Sequence, residues 1–383
     1  MREGLYAKLL KKMGIYQEGK LDIGFLSLVL LLLSVGLVML FSASYAYSYA
    51  RFDNSYHFII RQAVFAAVGV VMMMALSRID CRVYRKMSGL IYVIAVLLLI
   101  LVLALPPMVE GMEHKRWLVI GPITVQPSEI AKFAIILLFS HLIAKYHKLM
   151  SKFKFVITLL FILGIVCGLV VVETHLSATI LILFIGVILM IVGGLAVKYI
   201  FMGLGAAVTA VVLFVITGLV DYASSRFTYW LDPWSDAAGK GYQTIQSLLA
   251  IGSGELLGRG IGQSRQKYSW LPEPHNDFIF AIVCEELGLI GAMIIIILFC
   301  LLVWRGFTVA MHSPDKFSSL MAVGLTFQVA LQAALNIMVV TNTIPNTGIS
   351  LPFFSYGGTA LIILLSEMGI VLSLSRSANL EKV

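Results

Sequence analysis

Charge is what this chain has least of. Of its 383 residues, 13% are Asp, Glu, Lys or Arg and 60% are hydrophobic, whereas a soluble domain carries about 25% charged residues. The shortfall excludes an ordinary water-soluble globule and makes lipid the expected solvent. Cysteine is scarce too. Cys81, Cys167, Cys284 and Cys300 are the only four; three fall in apolar stretches and no two have metal-ligand spacing, so a disulfide framework finds no support. Acidic residues are fewer than basic ones, 20 against 28, for a net charge of +8. That excess makes no nucleic-acid surface, because Lys and Arg lie in short runs between apolar segments and act there as topology signals. Internal repeats, low-complexity tracts and soluble domains are also missing, so residues 1–383 read as one integral membrane domain.

What is present is apolar sequence in long blocks. Ten stretches come near the roughly 20 residues that a helix needs to cross hydrocarbon: about 23–43, 58–77, 88–105, 128–144, 155–172, 177–195, 198–220, 277–303, 318–340 and 358–374. The expected fold is an all-α polytopic membrane protein with about ten transmembrane helices. The first stretch is too long for a signal-peptide core and follows a tail, residues 1–22, so it is expected to be an uncleaved anchor. Ten spans put both termini on one side. That side receives 18 of the 28 Lys and Arg residues, which predicts cytoplasmic termini. The extracytoplasmic side then holds three segments rich in Gly, Pro, Trp, Gln and acidic residues: Pro106–Lys132, the large loop 221–276 between spans seven and eight, and Thr341–Gly358.

The first segment carries Pro106, Pro107, Pro122 and Pro127, which rule out a continuous helix. Pro127-Ser128-Glu129 then reads as a helix start, with Glu129 and Lys132 one turn apart inside the apolar boundary. Two readings are open for them, a structural bridge and a substrate contact. Lys115-Arg116-Trp117 is either an interfacial anchor or a grip on an anionic headgroup. In the large loop, Tyr242, Ile245, Leu248, Leu249 and Ile251 follow helical spacing and predict a short amphipathic helix on the outer leaflet. The Gly-rich run from Gly252 to Lys267 follows no strand, which argues against a nucleotide site. It is either a hinge or a place where backbone N–H groups, Arg259, Arg265 and Lys267 meet a pyrophosphate. Asp277 stands at the lip of the eighth span after His275 and Asn276. It reads as a helix cap or as a functional carboxylate. Glu285, with Glu286, lies two turns further on, about 80° of helical rotation away from Asp277, and ionisable groups at that depth mark a cavity or an internal pair.

Taken in order, six features resemble the SEDS family of bacteria, the FtsW, RodA and SpoVE group of cell shape, elongation, division and sporulation. They are Arg116-Trp117, Q-P-S-E-I-A-K (Gln126 to Lys132), P-E-P-H-N-D-F-I-F-A (Pro272 to Ala281), E-E-L-G (Glu285 to Gly288), Asn336, and N-T-G-I-S-L-P-F-F-S-Y-G-G (Asn346 to Gly358, with Ser355). Where elongation-type members usually read P-D-L-G-T, this chain reads E-T-H-L-S-A-T (Glu173 to Thr179). That is closer to the division and sporulation branch, particularly SpoVE. Thr359 stands where Ser is commoner.

The resemblance implies an inverting peptidoglycan glycosyltransferase that polymerises lipid II, the undecaprenyl-pyrophosphate disaccharide-peptide, on the outer face of the cytoplasmic membrane. Asp277 matches the family's essential Asp and is the expected catalytic base. Lys132, Arg116 and Lys267 are candidates for the pyrophosphate. Trp117, Gln126, Glu129, His275, Glu285, Asn336 and Ser355 complete the expected substrate-binding set. A divalent cation, Mg2+ or Mn2+, bridging Asp277 and phosphate fits the chemistry, although no dedicated metal cage is visible. The expected partner is a class B penicillin-binding protein transpeptidase within the division or sporulation machinery. A lipid II flippase and a non-catalytic scaffold for that transpeptidase are the alternatives. His175 reads as a satisfied interhelical residue.

Overall fold

The computed structural model describes residues 10–11, 13–106, 115–121, 123–203, 228–268 and 270–379. In chain order these form α1 (Ile23–Phe52), α2 (His57–Leu76), α3 (Cys81–Ala104), β1 (Leu118–Ile120), β2 (Ile123–Val125), α4 (Pro127–Lys145), α5 (Phe153–Val172), α6 (Leu176–Val192), α7 (Tyr242–Ser253), α8 (Ile279–Met311), α9 (Lys316–Val340) and α10 (Gly358–Ser377). The chain is a mostly helical, polytopic membrane protein. Eight helices among the described residues are long and apolar enough to cross a membrane, and α6 is a shorter apolar helix. Of the seventh expected span, 198–220, only the part up to residue 203 is described, and it is helical. Residues 107–114 and 204–227 lie outside the described residues.

Helix starts follow from capping. Asp22, Asp80 and Asp315 each accept a backbone N–H from the first turn of α1, α3 and α9, and Pro127 occupies the first turn of α4, where it sacrifices no hydrogen bond. Ahead of α4, β1 and β2 form an antiparallel hairpin that pairs Leu118 with Val125, with Gly121 at φ +61°; Pro107 and Pro122 lie outside the described residues. Thr359 at the start of α10 donates to the Thr124 carbonyl at 2.6 Å, seating the hairpin on the bundle. Side chains of α4, α9 and α10 are enclosed by protein, whereas α2, α3 and α5 bury only one stripe. Hydropathy cannot choose that stripe, because lipid and core are equally apolar; small residues that allow close approach do so. Gly69 of α2 lies on Leu365, and Gly369 of α10 lies on the Met73 backbone.

Two polar ties join α1 to the antiparallel α8. At one end Arg305 donates to Asp22 at 2.8 Å. At the other, Ser42 lies 2.7 Å from both Glu286 carboxylate oxygens, donating its hydroxyl proton there. From Asp22 to Ser42, and from Glu286 to Arg305, the helices each rise ~30 Å, about the thickness of a hydrocarbon core. The charges bracket the apolar layer instead of crossing it. Both ends of the described chain meet at the Asp22–Arg305 face. There Arg376 donates to the Gly19 carbonyl, the Asp22 N–H to Ser375, and the Asn379 N–H to the His312 carbonyl.

One expectation needs correction. The span expected at 277–303 is not one continuous helix, because α8 breaks at Gly288 (φ 66°, ψ −171°). The Gly-rich loop enters the break. Arg259 and Gly260 N–H groups donate to the Glu285 and Glu286 carbonyls, and Leu289 and Ile290 N–H groups donate to the Glu255 and Leu256 carbonyls. Four backbone groups freed by the break are thereby satisfied, as an apolar environment demands. Glycine is required where the two backbones touch: a Cβ at Gly288 would collide with Gly258 N and the Leu256 carbonyl. The part before the break, Ile279–Leu287, is enclosed in protein except at Leu287, and the lipid-facing periodicity begins at Leu289.

Candidate active site

Beyond Glu286, at the end of the bundle opposite the termini, lies a cavity of about 480 Å³. The α5–α6 turn, the segment before α8 and the α9–α10 loop wall it. Arg116, His175, Lys240, Gln243, Asp277 and Asn346 supply its polar lining. Ser177 at the start of α6 donates to the Thr347 carbonyl, which ties two of these walls together.

Asp277 is placed by its backbone. Asn336 of α9 is fully buried and donates one amide to both the Asp277 carbonyl, at 2.7 Å, and the Ile349 carbonyl, at 2.6 Å. Ser355 donates to the Asn276 carbonyl at 2.8 Å and accepts from the Leu351 N–H at 2.7 Å. Asn336 and Ser355 therefore position the Asp277 segment from behind. Gly348 (φ +69°) passes so close that a Cβ there would stand 3.2 Å from Asp277 Oδ2. Burial against this wall, reinforced by the Glu273 carboxylate and opposed by Arg116, pushes the Asp277 carboxyl up to about 6.

Arg116 reaches the cavity across the α5–α6 turn, donating to the Thr174 carbonyl at 2.5 Å and to the Glu173 carbonyl at 3.4 Å. Thr174 has a left-handed backbone (φ 59°), which turns these carbonyls toward the guanidinium. Burial raises the Glu173 carboxyl to about 8 against the pull of Arg116. His175 lies within reach of Gln126 Nε2 (3.3 Å) and Ser128 Oγ (3.4 Å) through its Nδ1. Burial, Arg116 and Lys132 lower its imidazole to about 3, so it is neutral at physiological pH. The departure at E-T-H-L-S-A-T thus brings a neutral histidine to the cavity wall.

Several expected site residues lie elsewhere. Lys132 is buried in an ion pair with Glu129 at 2.8 Å and donates to Gln332 at 3.3 Å; neither partner of the pair lines the large cavity. Lys267 is also buried, donating to Glu286 at 3.0 Å and to Ser42 at 3.1 Å. Glu285 accepts from the Arg265 N–H at 2.9 Å and from the Ser264 hydroxyl. Glu285, Glu286 and Lys267 thus lock the loop into the helix break and do not face the cavity. His275 is buried among Phe58, Tyr47 and Tyr356, with ring centroids 4.4, 4.9 and 6.1 Å away. Burial lowers it to about 4, with Arg51 adding to the effect. Trp117 is half-buried ahead of β1 and outside the cavity lining.

The short helix at Tyr242 forms as α7, with an unexpected face inward. Thr244, Ile245, Gln246, Ser247 and Ala250 are buried while Leu248 and Leu249 are exposed, so the face that joins the protein is part polar, part apolar, and Gln243 lines the cavity. Lys240 was not singled out by any periodicity. It lies one residue ahead of the α7 N-cap and reaches the lining beside Tyr229, whose ring centroid is 5.4 Å from its ammonium. Gln62, which exchanges hydrogen bonds with the Ser355 carbonyl and the Gly357 N–H, carried a signal: a polar side chain within an apolar span.

A polytopic α-helical membrane protein, with a carboxylate and two cations around a cavity at one end of its bundle, is the class so defined. The chain belongs to the FtsW, RodA and SpoVE family, described as cell cycle protein, whose model matches residues 24–380. It is 39% identical over 364 residues to stage V sporulation protein E of Bacillus subtilis, covering 93% of this chain and 97% of that one. It is 34% identical over 371 residues to the probable peptidoglycan glycosyltransferase FtsW of Geobacter metallireducens, with coverage of 95% and 97%. Among solved structures, a chain of a peptidoglycan synthase complex that coordinates polymerization and crosslinking superposes with a TM-score of 0.78. That match is at 28% identity and covers 94% of this chain and 99% of the other. The rod shape determining protein RodA of Thermus thermophilus gives 0.69 at 25% identity, covering 94% and 98%.

Proposed function

We propose that this chain is a peptidoglycan glycosyltransferase that polymerises lipid II at the Asp277 cavity, on the outer face of the cytoplasmic membrane, in division or sporulation cell-wall synthesis. The observation that carries the reading is that Asp277, Arg116 and Lys240 share one cavity at the end of the bundle remote from the termini. The reaction joins a sugar 4-hydroxyl to an anomeric carbon whose leaving group is lipid pyrophosphate. It needs a base for the hydroxyl proton and positive charge for the departing oxygens. Asp277, with its carboxyl near 6, is mostly ionised at neutral pH and is the base. Arg116 and Lys240 are the cations that line the cavity with Asp277 and are placed for the pyrophosphate, whereas Lys132 and Lys267 lie outside it, paired with Glu129 and Glu286. Gln243 and Asn346 supply amide contacts to sugar hydroxyls.

No group of three or more His, Cys, Asp or Glu residues able to hold a metal occurs among the described residues. A Mg2+ or Mn2+ ion bound in the cavity would be held by Asp277 and would supply positive charge to the substrate phosphates. A class B penicillin-binding protein is the transpeptidase partner on this reading. The direct test supplies purified lipid II to the purified protein, alone and with that partner. Glycan strands are the expected product. Their absence in both reactions points to the scaffold or flippase instead.

Two narrower results are expected. Lys240→Ala should raise the KM for lipid II roughly tenfold, the weight of one charge-assisted contact. Lys267→Ala should chiefly lower the yield and melting temperature, because stripping a buried carboxylate of its cation costs about 3–5 kcal/mol. Equal KM effects from both would place the pyrophosphate wrongly. For orientation, Cys substituted at the exposed Ala238 should react with an impermeant thiol reagent in intact protoplasts, and native Cys81 should not. The reverse labelling pattern overturns the assigned side.

A further inference from the structure

Glu367 lies midway along α10 and is 2% exposed, a carboxyl inside the apolar layer that the cavity does not use. Its Oε2 accepts from Gln328 Nε2 of α9 at 2.8 Å. The other two oxygens of this pair, Glu367 Oε1 and Gln328 Oε1, are both buried without a hydrogen-bond partner. Two bare acceptors on buried side chains already in contact are costly. One proton satisfies both. A carboxylic acid and a primary amide close an eight-membered ring, the amide N–H donating to one acid oxygen and the acid O–H to the amide oxygen.

We propose that Glu367 is a proton-binding site, held as the neutral acid in a cyclic pair with Gln328. The charged groups facing it are Lys132 and Glu129 of α4, which already form a one-to-one pair at 2.8 Å. With Glu367 neutral this layer carries no net charge. With Glu367 ionised it would hold one uncompensated negative charge, or Lys132 would be drawn from Glu129, an outcome that low-dielectric surroundings make expensive. The proton makes Glu367 a positioning residue for the Lys132–Glu129 pair, whatever reaction the cavity performs.

Infrared difference spectroscopy on the purified full chain in lipid nanodiscs tests this. At neutral pH the wild type should show a carboxylic-acid C=O band that is absent in Glu367→Gln. In Gln328→Leu the band should persist and move toward the frequency of an unbonded acid. Glu367→Gln keeps a donor for Gln328 Oε1 and an acceptor for its N–H, so it should melt with the wild type, whereas Glu367→Ala should melt lower. A difference spectrum that shows loss of only carboxylate bands overturns the proposal. So does a wild-type melting temperature that rises with Na+ while that of Glu367→Gln does not, which would assign the two oxygens to a bound cation. Should Glu367→Gln not fold, the position of the acid band in Gln328→Leu against wild type decides alone: no shift overturns the pair.

Discussion

Asp277→Asn is expected to fold, insert and bind its partner normally, yet lose glycan polymerisation by about two orders of magnitude or more. The substitution preserves everything that places the residue. Asn336 holds the Asp277 segment through the backbone carbonyl, and Ser355 holds its neighbour through the Asn276 carbonyl, so neither contact depends on the carboxylate. What Asn cannot do is take a proton from a sugar hydroxyl. The wild-type pH profile should agree. A base works in its ionised form, so activity should rise with pH along an acid limb centred near 6, the value to which burial and Glu273 push this carboxyl. His175 and His275 stay neutral across that range because burial holds them near 3 and 4, and they add no limb of their own. The measurement is strand production from lipid II by the two proteins at matched concentration. Near-wild-type product from Asp277→Asn would remove the base assignment, leaving Asp277 as a structural residue.

Gly288→Ala should have a large effect on folding for a single added methyl group. Its backbone, φ 66° and ψ −171°, lies in a region that is essentially glycine-only and costs another residue about 1–3 kcal/mol. The added carbon would also strike Gly258 N and the Leu256 carbonyl, prising apart the hydrogen bonds that satisfy the broken helix. The combined penalty, roughly 3 kcal/mol or more, is a large fraction of the stability of an ordinary domain. Little folded protein should survive purification in detergent. Gly164→Ala is the matched control: its Cβ would meet nothing within 4 Å, so its melting temperature should not fall. Equal stability of the two variants would mean that the helix break is not a rigid feature of the fold.

The two variants mark where sequence reasoning reaches and where it stops. Membrane class, the approximate extents of nine described helices, the amphipathic stretch at Tyr242 and the Pro-broken approach to Glu129 were all legible. Each is set by local composition acting over one helix length, and lipid imposes that length on any sequence. Asp277 was legible only as a carboxylate at the lip of an apolar helix, open between a helix cap and a functional group; the resemblance, not the spacing, gave it the role of base. The E-E-L-G segment was legible in part: an internal pair was one of its readings, and Glu286 makes one with Lys267. Glu285 and Glu286 looked like groups within a continuous span. The backbone of a distant loop breaks that helix, however, and hydrogen bonds between residues 26 and 34 positions apart leave no periodic trace.

The sequence by itself determined that this protein is a bundle of apolar helices joined by polar segments, because solvent selects composition residue by residue. Only the tertiary structure decided which cations line the cavity. Lys132, Lys240, Lys267 and Arg116 all read simply as cations in the sequence. Packing places Glu129 2.8 Å from Lys132 and Glu286 3.0 Å from Lys267, and leaves Arg116 and Lys240 facing the cavity with Asp277. The physical reason is that charge neutralisation depends on distances of a few ångströms between segments far apart in the chain, and those distances exist only once the helices have packed.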